Sequence, residues 1–303
     1  MTAPTWGRDM RERTVDSPRR EARFRLGWLV AAAVLAASRG APAQAPFVTE
    51  SPAQQGAIFQ PVFADPKEPR FFAAYLLARS PRLAPRIGSV GFGQTIMLLG
   101  ARDWQLAIAA GVFSQFNMQA ATTDLMNTDY LVGLPLAYRS GSTAMRFQLY
   151  HQSSHLGDGY IVHTHAQRVT YSFEAAELLV SELVGNWRVY GGGEYLFTHA
   201  PDDLKSGIVH GGVDYRERQP LLHLGRLAAA RVVAGLDGRG IEDSGWQVGW
   251  SLATGLEFAD PLAPPGSGWR WSVLLTAYTG PSPYGQFYRD HVSSVGLGVG
   301  FAP

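Results

Sequence analysis

The stretch Trp246–Phe258, WQVGWSLATGLEF, decides the fold. Its odd-numbered residues are small or polar, whereas its even-numbered residues are mostly apolar: Trp246, Val248, Trp250, Leu252, Thr254, Leu256 and Phe258. Successive side chains of a strand point to opposite faces, so this alternation predicts a β-strand with one apolar face. At a tilt of about 40°, a strand of this length spans roughly 30 Å, which matches a lipid-exposed barrel strand better than a soluble strand.

The same alternation recurs along the chain and predicts an all-β protein, a transmembrane antiparallel β-barrel of about twelve strands. The predicted strands are 70–80, 86–99, 104–115, 129–139, 143–152, 166–184, 187–198, 206–216, 226–236, 245–258, 269–279 and 290–301. The 34 glycines argue against a helical protein, and the 17% of charged residues is low for a soluble one. The absence of cysteine excludes disulfides, thiolate metal sites and cysteine nucleophiles.

Charged residues of the predicted strands fall mainly on the face opposite the apolar one. They are Arg146, Arg168, Arg188, Glu194, Asp214, Arg231, Glu257 and Arg270. Lipid would penalise each such charge by about 2–4 kcal/mol at mid-depth, so this face is predicted to line the lumen. Because both signs are interspersed, an internal network of ion pairs is favoured over a conduction path.

The first 43 residues read as a secretory signal peptide. A long arginine-rich region precedes the short apolar run Leu26–Ser38, and Ala41-Pro42-Ala43 supplies a cleavage site. This leader carries eight arginines and four acids, so subtracting its +4 from the +1 of the whole chain leaves −3. The negative net charge of the chain without its leader disfavours a nucleic-acid partner. Residues 44–69 are predicted to be a periplasmic extension or a plug, and residues 70–303 to be the barrel, located in the cell outer membrane.

Three sequence stretches resemble an uncharacterised family of bacterial envelope proteins, the domain-of-unknown-function 1207 family. They are FQPVFADPKEPRF at 59–71, YHQSSHLGD at 150–158 and SPYGQFY at 282–288. The resemblance covers most of the mature chain and implies an envelope location, but no activity. The last strand, ending at Phe301, also resembles the C-terminal signal read by the outer-membrane assembly machinery, which is therefore an expected partner together with outer-membrane lipids.

A shorter stretch, His151-Gln152-Ser153, resembles the His-x-Ser pair of outer-membrane phospholipase A, a twelve-stranded barrel; the outer-membrane lipid A deacylases share a similar pair. Residues i and i+2 of a strand share a face, so His151 and Ser153 are predicted to point to lipid near the outer end of strand five. The resemblance implies a serine nucleophile and a histidine base. The phospholipases have an asparagine on the next strand to orient the histidine; the best-matching positions here offer Gln167 or His165.

Two features of the chain depart from these lipid enzymes. Ser154-His155 stands where the phospholipases have Asn-Gly, in the region that supplies their oxyanion hole. No outward acid is apparent at the position used by the deacylases. Calcium is implied as a cofactor only if the phospholipase resemblance extends to chemistry; otherwise neither cofactor nor metal is indicated.

The sequence leaves three functions open, and with them the question whether the protein is an enzyme. A non-enzymatic envelope or binding role is preferred, because most barrel residues have a structural explanation. The alternative is a lipid ester hydrolase that uses Ser153, His151 and Gln167. The further alternative is a narrow diffusion pore, which is disfavoured because twelve strands leave a lumen filled by side chains.

Overall fold

The computed structural model describes residues 57–225, 228–262 and 268–302. The predicted signal peptide and the first part of the predicted extension lie outside these ranges. Among the described residues, no helix is long and apolar enough to cross a membrane.

The described chain forms a closed antiparallel β-barrel of twelve long strands, as the alternating sequence predicts. Together with the three-residue β9, which is not one of the twelve, the strands are β1 (Phe71–Arg79), β2 (Arg86–Gly100), β3 (Trp104–Asn117), β4 (Asp124–Ser140), β5 (Thr143–Leu156), β6 (Tyr171–Val184), β7 (Trp187–Ala200), β8 (Gly207–Arg216), β9 (Leu222–Leu224), β10 (Ala228–Ile241), β11 (Gln247–Ala259), β12 (Arg270–Pro281) and β13 (His291–Ala302). Each long strand pairs with its neighbours, and the pairing of β1 with β13 completes the ring.

Two short elements differ from the sequence prediction. A helix, α1 (Asp158–Thr164), follows β5, so β6 begins at Tyr171 rather than at residue 166. The three residues of β9 pair with the start of β10. This extra strand extends the sheet beside β8 without adding a member to the ring.

The two ends of the barrel differ in their connections. One end, called the turn end, carries the tight links β2–β3, β4–β5 and β6–β7 together with the start of β1 and the end of β13. The other end, called the loop end, carries α1 and the 3-10 turns Glu242–Ser244 and Gly285–Phe287. The tight turns therefore lie together at one end of the barrel.

The outer wall is apolar and the inner wall is charged. Along β4 the exposed residues alternate with buried ones, and they are Tyr130, Val132, Leu134, Leu136 and Tyr138. A continuous apolar wall of this kind requires a lipid environment, because a monomeric soluble protein rarely exposes such a surface.

Inside the barrel, charges of opposite sign pair across neighbouring strands. Arg146 of β5 donates to Glu177 of β6 at 3.0 Å, and Arg188 of β7 donates to Asp214 of β8. These pairs match the predicted internal network, since buried charges need partners. Arg168 differs from its prediction: it lies in the coil after α1 and contacts the exposed Asp158 at 3.2 Å.

Residues 57–70 lie among these inward-facing side chains. Val62 is fully buried, and Lys67 forms an ion pair with Asp129 of β4 at 2.6 Å. Glu68 accepts a hydrogen bond from Arg146 at 2.8 Å, while Arg188 donates to the carbonyl of Pro61 at 2.7 Å. The segment thus exchanges side-chain and backbone hydrogen bonds with at least three strands.

Candidate functional site

The outer face of β5 carries the residues of the predicted His-x-Ser pair. His151 and Ser153 both point outward, between the buried residues of the same strand. Glu174 of β6 lies opposite His151, and Ser172 lies opposite Ser153. On the other side, Tyr130 of β4 is the register partner of Ser153. The strand register therefore assembles a polar patch of five side chains on an otherwise apolar wall.

A hydrogen bond between His151 and Glu174 organises this patch. The distance from His151 Nδ1 to Glu174 Oε1 is 2.9 Å, and the two side chains are 41% and 40% exposed. A carboxylate only accepts, so Nδ1 carries the hydrogen of this bond, and in the corresponding neutral tautomer the lone pair lies on Nε2. That tautomer makes Nε2 a base that can accept a proton from a hydroxyl on the same face.

The partner of His151 is not the residue that the sequence indicated. Gln167 is exposed in the coil between α1 and β6, and His165 is the left-handed residue that ends α1. Glu174 is the outward acid that the sequence analysis did not find. Fourteen residues, including a helix, separate β5 from β6, so no tight turn fixes the register between the two strands. The pairing of Glu174 with His151 could therefore not be predicted from the sequence.

The patch lies in the aromatic band near the loop end of the barrel. Tyr130 of β4 is exposed beside it, and Tyr195 and Phe197 are exposed on β7, which neighbours β6. At the turn end a second band is formed by contacts such as Trp187 with Tyr215 and Trp271 with Phe301. Aromatic bands mark the two interfaces of membrane barrels, and His151 and Ser153 lie beside the band at the loop end.

The inner face of the same strand end has a different role. Ser154 donates to Asp129, which also accepts hydrogen bonds from Lys67 at 2.6 Å and from the Gly285 amide at 3.1 Å. Gln286 donates to the Ser154 carbonyl at 2.8 Å. The three sequence stretches that resemble the 1207 family therefore meet at one buried carboxylate.

Two further details show how closely this inner cluster is packed. A Cβ at Gly285 would lie 2.6 Å from the Cβ of Ser154, so only glycine allows this approach. Burial raises the pKa of the Tyr284 phenol to about 12, so the phenol stays neutral and shares a hydrogen bond of 2.9 Å with Ser89. The buried motif residues thus have structural partners, whereas Ser153 makes no side-chain hydrogen bond within the described part of the chain.

The histidines and acids in and around the connection from β5 to β6 do not converge on one point. His163 contacts Asp124 at 2.6 Å, while Asp158 contacts Arg168 instead. His155 belongs to the outward face of β5 and packs edge-on against Tyr130. These side chains form separate surface pairs.

The closed ring, the apolar wall and the two aromatic bands define an outer-membrane β-barrel protein. Within that class, the chain belongs to the family described as "Protein of unknown function (DUF1207)", whose model matches residues 33–302. No curated protein matches the chain.

Solved structures with a similar fold include two bacterial phospholipases. The barrel is similar to outer membrane phospholipase A from Escherichia coli, with a TM-score of 0.52 and 14% identity over 82% of this chain and 95% of that one. It is also similar to the outer membrane phospholipase dimer of Salmonella typhi with bound calcium, with a TM-score of 0.50 and 14% identity over 78% and 92% of the two chains. At these identities the likeness shows the fold alone.

Proposed function

We propose that this protein is a lipid acyl hydrolase of the bacterial outer membrane, with Ser153 as nucleophile, His151 as general base and Glu174 as the group that orients the histidine. The observation that carries the proposal is the 2.9 Å contact from His151 Nδ1 to Glu174 Oε1, next to Ser153 on the lipid-facing wall. The proposal gives the three residues the roles of nucleophile, base and orienting group that recur in serine hydrolases of unrelated folds.

The chemistry runs in two halves. The Ser153 hydroxyl attacks the ester carbonyl and transfers its proton to His151 Nε2, and Glu174 stabilises the imidazolium that forms. The tetrahedral intermediate expels the alcohol, which takes that proton and leaves as a lysolipid. Water then attacks the acyl-serine, gives its proton to His151, and the fatty acid departs as the proton returns to Ser153.

The position of the pair supports a lipid ester as the substrate. The ester bonds of a phospholipid or of an acylated lipid A lie at the boundary between headgroups and acyl chains. The loop-end aromatic band beside Ser153 supports this depth for its hydroxyl. An ester in the surrounding leaflet could therefore reach the hydroxyl by lateral diffusion, without leaving the bilayer.

Two hydroxyl groups next to Ser153 support stabilisation of the oxyanion. Ser172 and Tyr130 are its register partners on the two neighbouring strands; Tyr130 is exposed, and Ser172 lies on the outward side of β6 by the alternation of that strand. Donors aimed at the developing negative charge are worth about 10²–10³ in rate each.

The side chains beside Ser153 do not fit a calcium ion. Calcium takes six to eight oxygen ligands, usually several carboxylates and carbonyls. The neighbouring acid is Glu174, and its Oε1 is already bonded to His151. We therefore assign no catalytic step to calcium in this chain.

The lumen supports the hydrolase over the diffusion pore. Residues 57–70 and the internal ion pairs occupy the interior. We therefore propose that the leader is cleaved and that this segment remains in the barrel as a plug. We also propose that the outer-membrane assembly machinery recognises the strand ending at Phe301 and inserts the barrel into the membrane.

The test is acyl release from mixed micelles of phospholipid and lipid A by protein refolded in detergent. We expect wild type to release fatty acid, and Ser153→Ala and His151→Ala to release none. Ser293→Ala, an outward serine on β13, and His291→Ala, an exposed histidine at the start of β13, are matched controls that should keep wild-type activity.

A serine-reactive sulfonyl fluoride provides a second readout that does not depend on the choice of substrate. It should label wild type at Ser153 and leave Ser153→Ala unlabelled. If folded wild type neither releases fatty acid nor reacts, the hydrolase proposal is wrong, and a non-enzymatic envelope or binding role is the conclusion.

A further inference from the structure

The lumen contains a buried histidine that the sequence analysis did not single out. His210 of β8 is 1% exposed and faces Glu177 of β6 and Glu194 of β7. Its Nδ1 lies 3.8 Å from Glu177 Oε2 and 3.7 Å from Glu194 Oε1. One ligand atom from each of the three residues can be chosen so that all lie within 4.8 Å of one another.

The Nδ1 atom of His210 is buried and has no hydrogen-bond partner. Leaving a buried polar atom unpaired costs about 1–3 kcal/mol, so an orphan between two carboxylates requires a reason. The opposite ring nitrogen, Nε2, lies 2.7 Å from Asp237 Oδ1 on β10. If the ring is neutral and Nε2 donates to Asp237, then Nδ1 presents a lone pair to the two glutamates.

This arrangement is that of a metal-binding histidine. Such histidines usually donate their second nitrogen to a carboxylate, which fixes the tautomer and raises the basicity of the ligating atom. Tetrahedral zinc ligands at about 2.0–2.1 Å from the ion lie about 3.4 Å apart. The two observed separations exceed that value by a few tenths of an ångström, a change that side-chain adjustment can supply.

The local charge balance also favours a divalent cation. The hydrogen-bonded set around His210 contains four carboxylates and two guanidinium groups: Glu68, Glu177, Glu194, Asp237, Arg146 and Arg239. With a neutral imidazole, this hydrogen-bonded set carries a net charge of −2 in a buried site, which the nearby Arg70 offsets only in part because it also faces Asp65 and Asp214. Buried charges must be paired or bind metal, and one divalent ion balances this set.

We propose that Glu177, Glu194 and His210 bind a divalent transition-metal ion of the Zn²⁺ type inside the barrel. The imidazole ligand selects zinc-like cations over Ca²⁺ and Mg²⁺, which take oxygen ligands. A cavity lined in part by Asp237 and Arg239, the partners of His210 and Glu194, lies beside the cluster and extends to Ser244 at the loop end. The ion links β6, β7 and β8 and thus has a structural role, remote from Ser153.

The experiment measures zinc retained by the full-length protein. Wild type is refolded in detergent with Zn²⁺ and passed through a desalting column into metal-free buffer, and its zinc is determined by mass spectrometry. We expect about one equivalent per chain, which a large excess of Ca²⁺ or Mg²⁺ does not displace. The variants His210→Ala and Glu177→Gln should retain less than about one tenth of that amount.

Glu257→Gln is the matched control. Glu257 is another buried acid of the lumen, 3.3 Å from Arg216 and outside the His210 cluster, and its variant should retain zinc as wild type does. Glu177→Gln keeps the shape of the side chain, so it decides the question even if His210→Ala does not fold. A Co²⁺-loaded wild type should also show the intense visible absorption of a tetrahedral site, and Glu177→Gln should lack it.

Two results would overturn the proposal. One is wild type that retains no zinc after desalting, which would make His210 a doubly protonated ion-pair partner of the glutamates. The other is equal retention by wild type, His210→Ala and Glu177→Gln, which would place the zinc on surface histidines. Neither result bears on acyl release, which is measured separately with the Ser153 variants.

Discussion

Replacing Glu174 by glutamine tests the catalytic proposal most sharply. The change keeps an oxygen that can accept from His151 Nδ1, but it removes the negative charge. The ground-state geometry is thus retained, while the imidazolium that forms during the reaction loses its counter-charge. We therefore expect kcat to fall and KM to stay close to the wild-type value.

The size of the effect follows from the distance and the exposure of the pair. Two unit charges 2.9 Å apart attract by about 1.4 kcal/mol in bulk water and by about 6 kcal/mol at an effective dielectric constant of 20. Because the two side chains are 41% and 40% exposed, we take a value towards the lower limit, about 2–3 kcal/mol. At 1.36 kcal/mol for each factor of ten, this corresponds to a loss of about 30- to 150-fold in kcat.

The assay is the initial rate of fatty-acid release from phospholipid micelles over a range of lipid concentrations, for wild type, Glu174→Gln and Ser153→Ala. Glu182→Gln is the control, because Glu182 lies on the same strand but bonds to Ser142 and Thr143 at the turn end. If Glu174→Gln keeps at least half of the wild-type kcat while Ser153→Ala is inactive, Glu174 does not support the imidazolium and the proposed triad is wrong.

Three further predictions concern the site and the lumen. Ser172→Ala should lower kcat by about 10²-fold without changing KM if its hydroxyl donates to the oxyanion, and an unchanged kcat in the same micelle assay would remove that role. Asp129→Asn should lower the free energy of unfolding by about 3–5 kcal/mol because it leaves Lys67 buried without its counter-charge; a shift of the heat-induced change in gel migration to lower temperature measures this, and an unshifted transition would contradict it. Wild type should show no discrete conductance steps in planar bilayers, whereas a folded variant lacking residues 57–70 should show them; steps in the wild type would refute the proposal that this segment is a plug.

The fold could be predicted from the sequence because its signal is local. Lipid outside and charge inside impose a period of two on every strand, and Trp246–Phe258 shows that period within thirteen residues. Nine of the twelve predicted long strands have both boundaries within four residues of those observed, whereas the start of β4, the start of β6 and the end of β10 each differ by five. At β6 the coil after α1 continues the alternation of the strand, so periodicity alone could not locate its start.

The candidate site could be predicted only in part, because strand register is not local. The outward direction of His151 and Ser153 follows from parity along β5 and agrees with the structure. Their partner on β6 depends on the register between β5 and β6. The connection through α1 sets that register, and the alternation of apolar residues along a strand does not specify it. The cluster at His210 was missed for a related reason: its ligands come from β6, β7 and β8, and each looks alone like one more inward polar residue.

The pairing of Phe71 with Phe301 has a consequence for the order of folding. These residues lie near opposite ends of the described chain, so the seam between β1 and β13 has a very large sequence separation and is expected to close late. The segment 57–70 directly precedes β1 and has bonding partners on β4, β5 and β7. It must therefore either be enclosed before the seam closes or be threaded through the turn end afterwards. The first route makes the segment a template around which the sheet curls, so its deletion should slow barrel formation even where the final fold is unchanged.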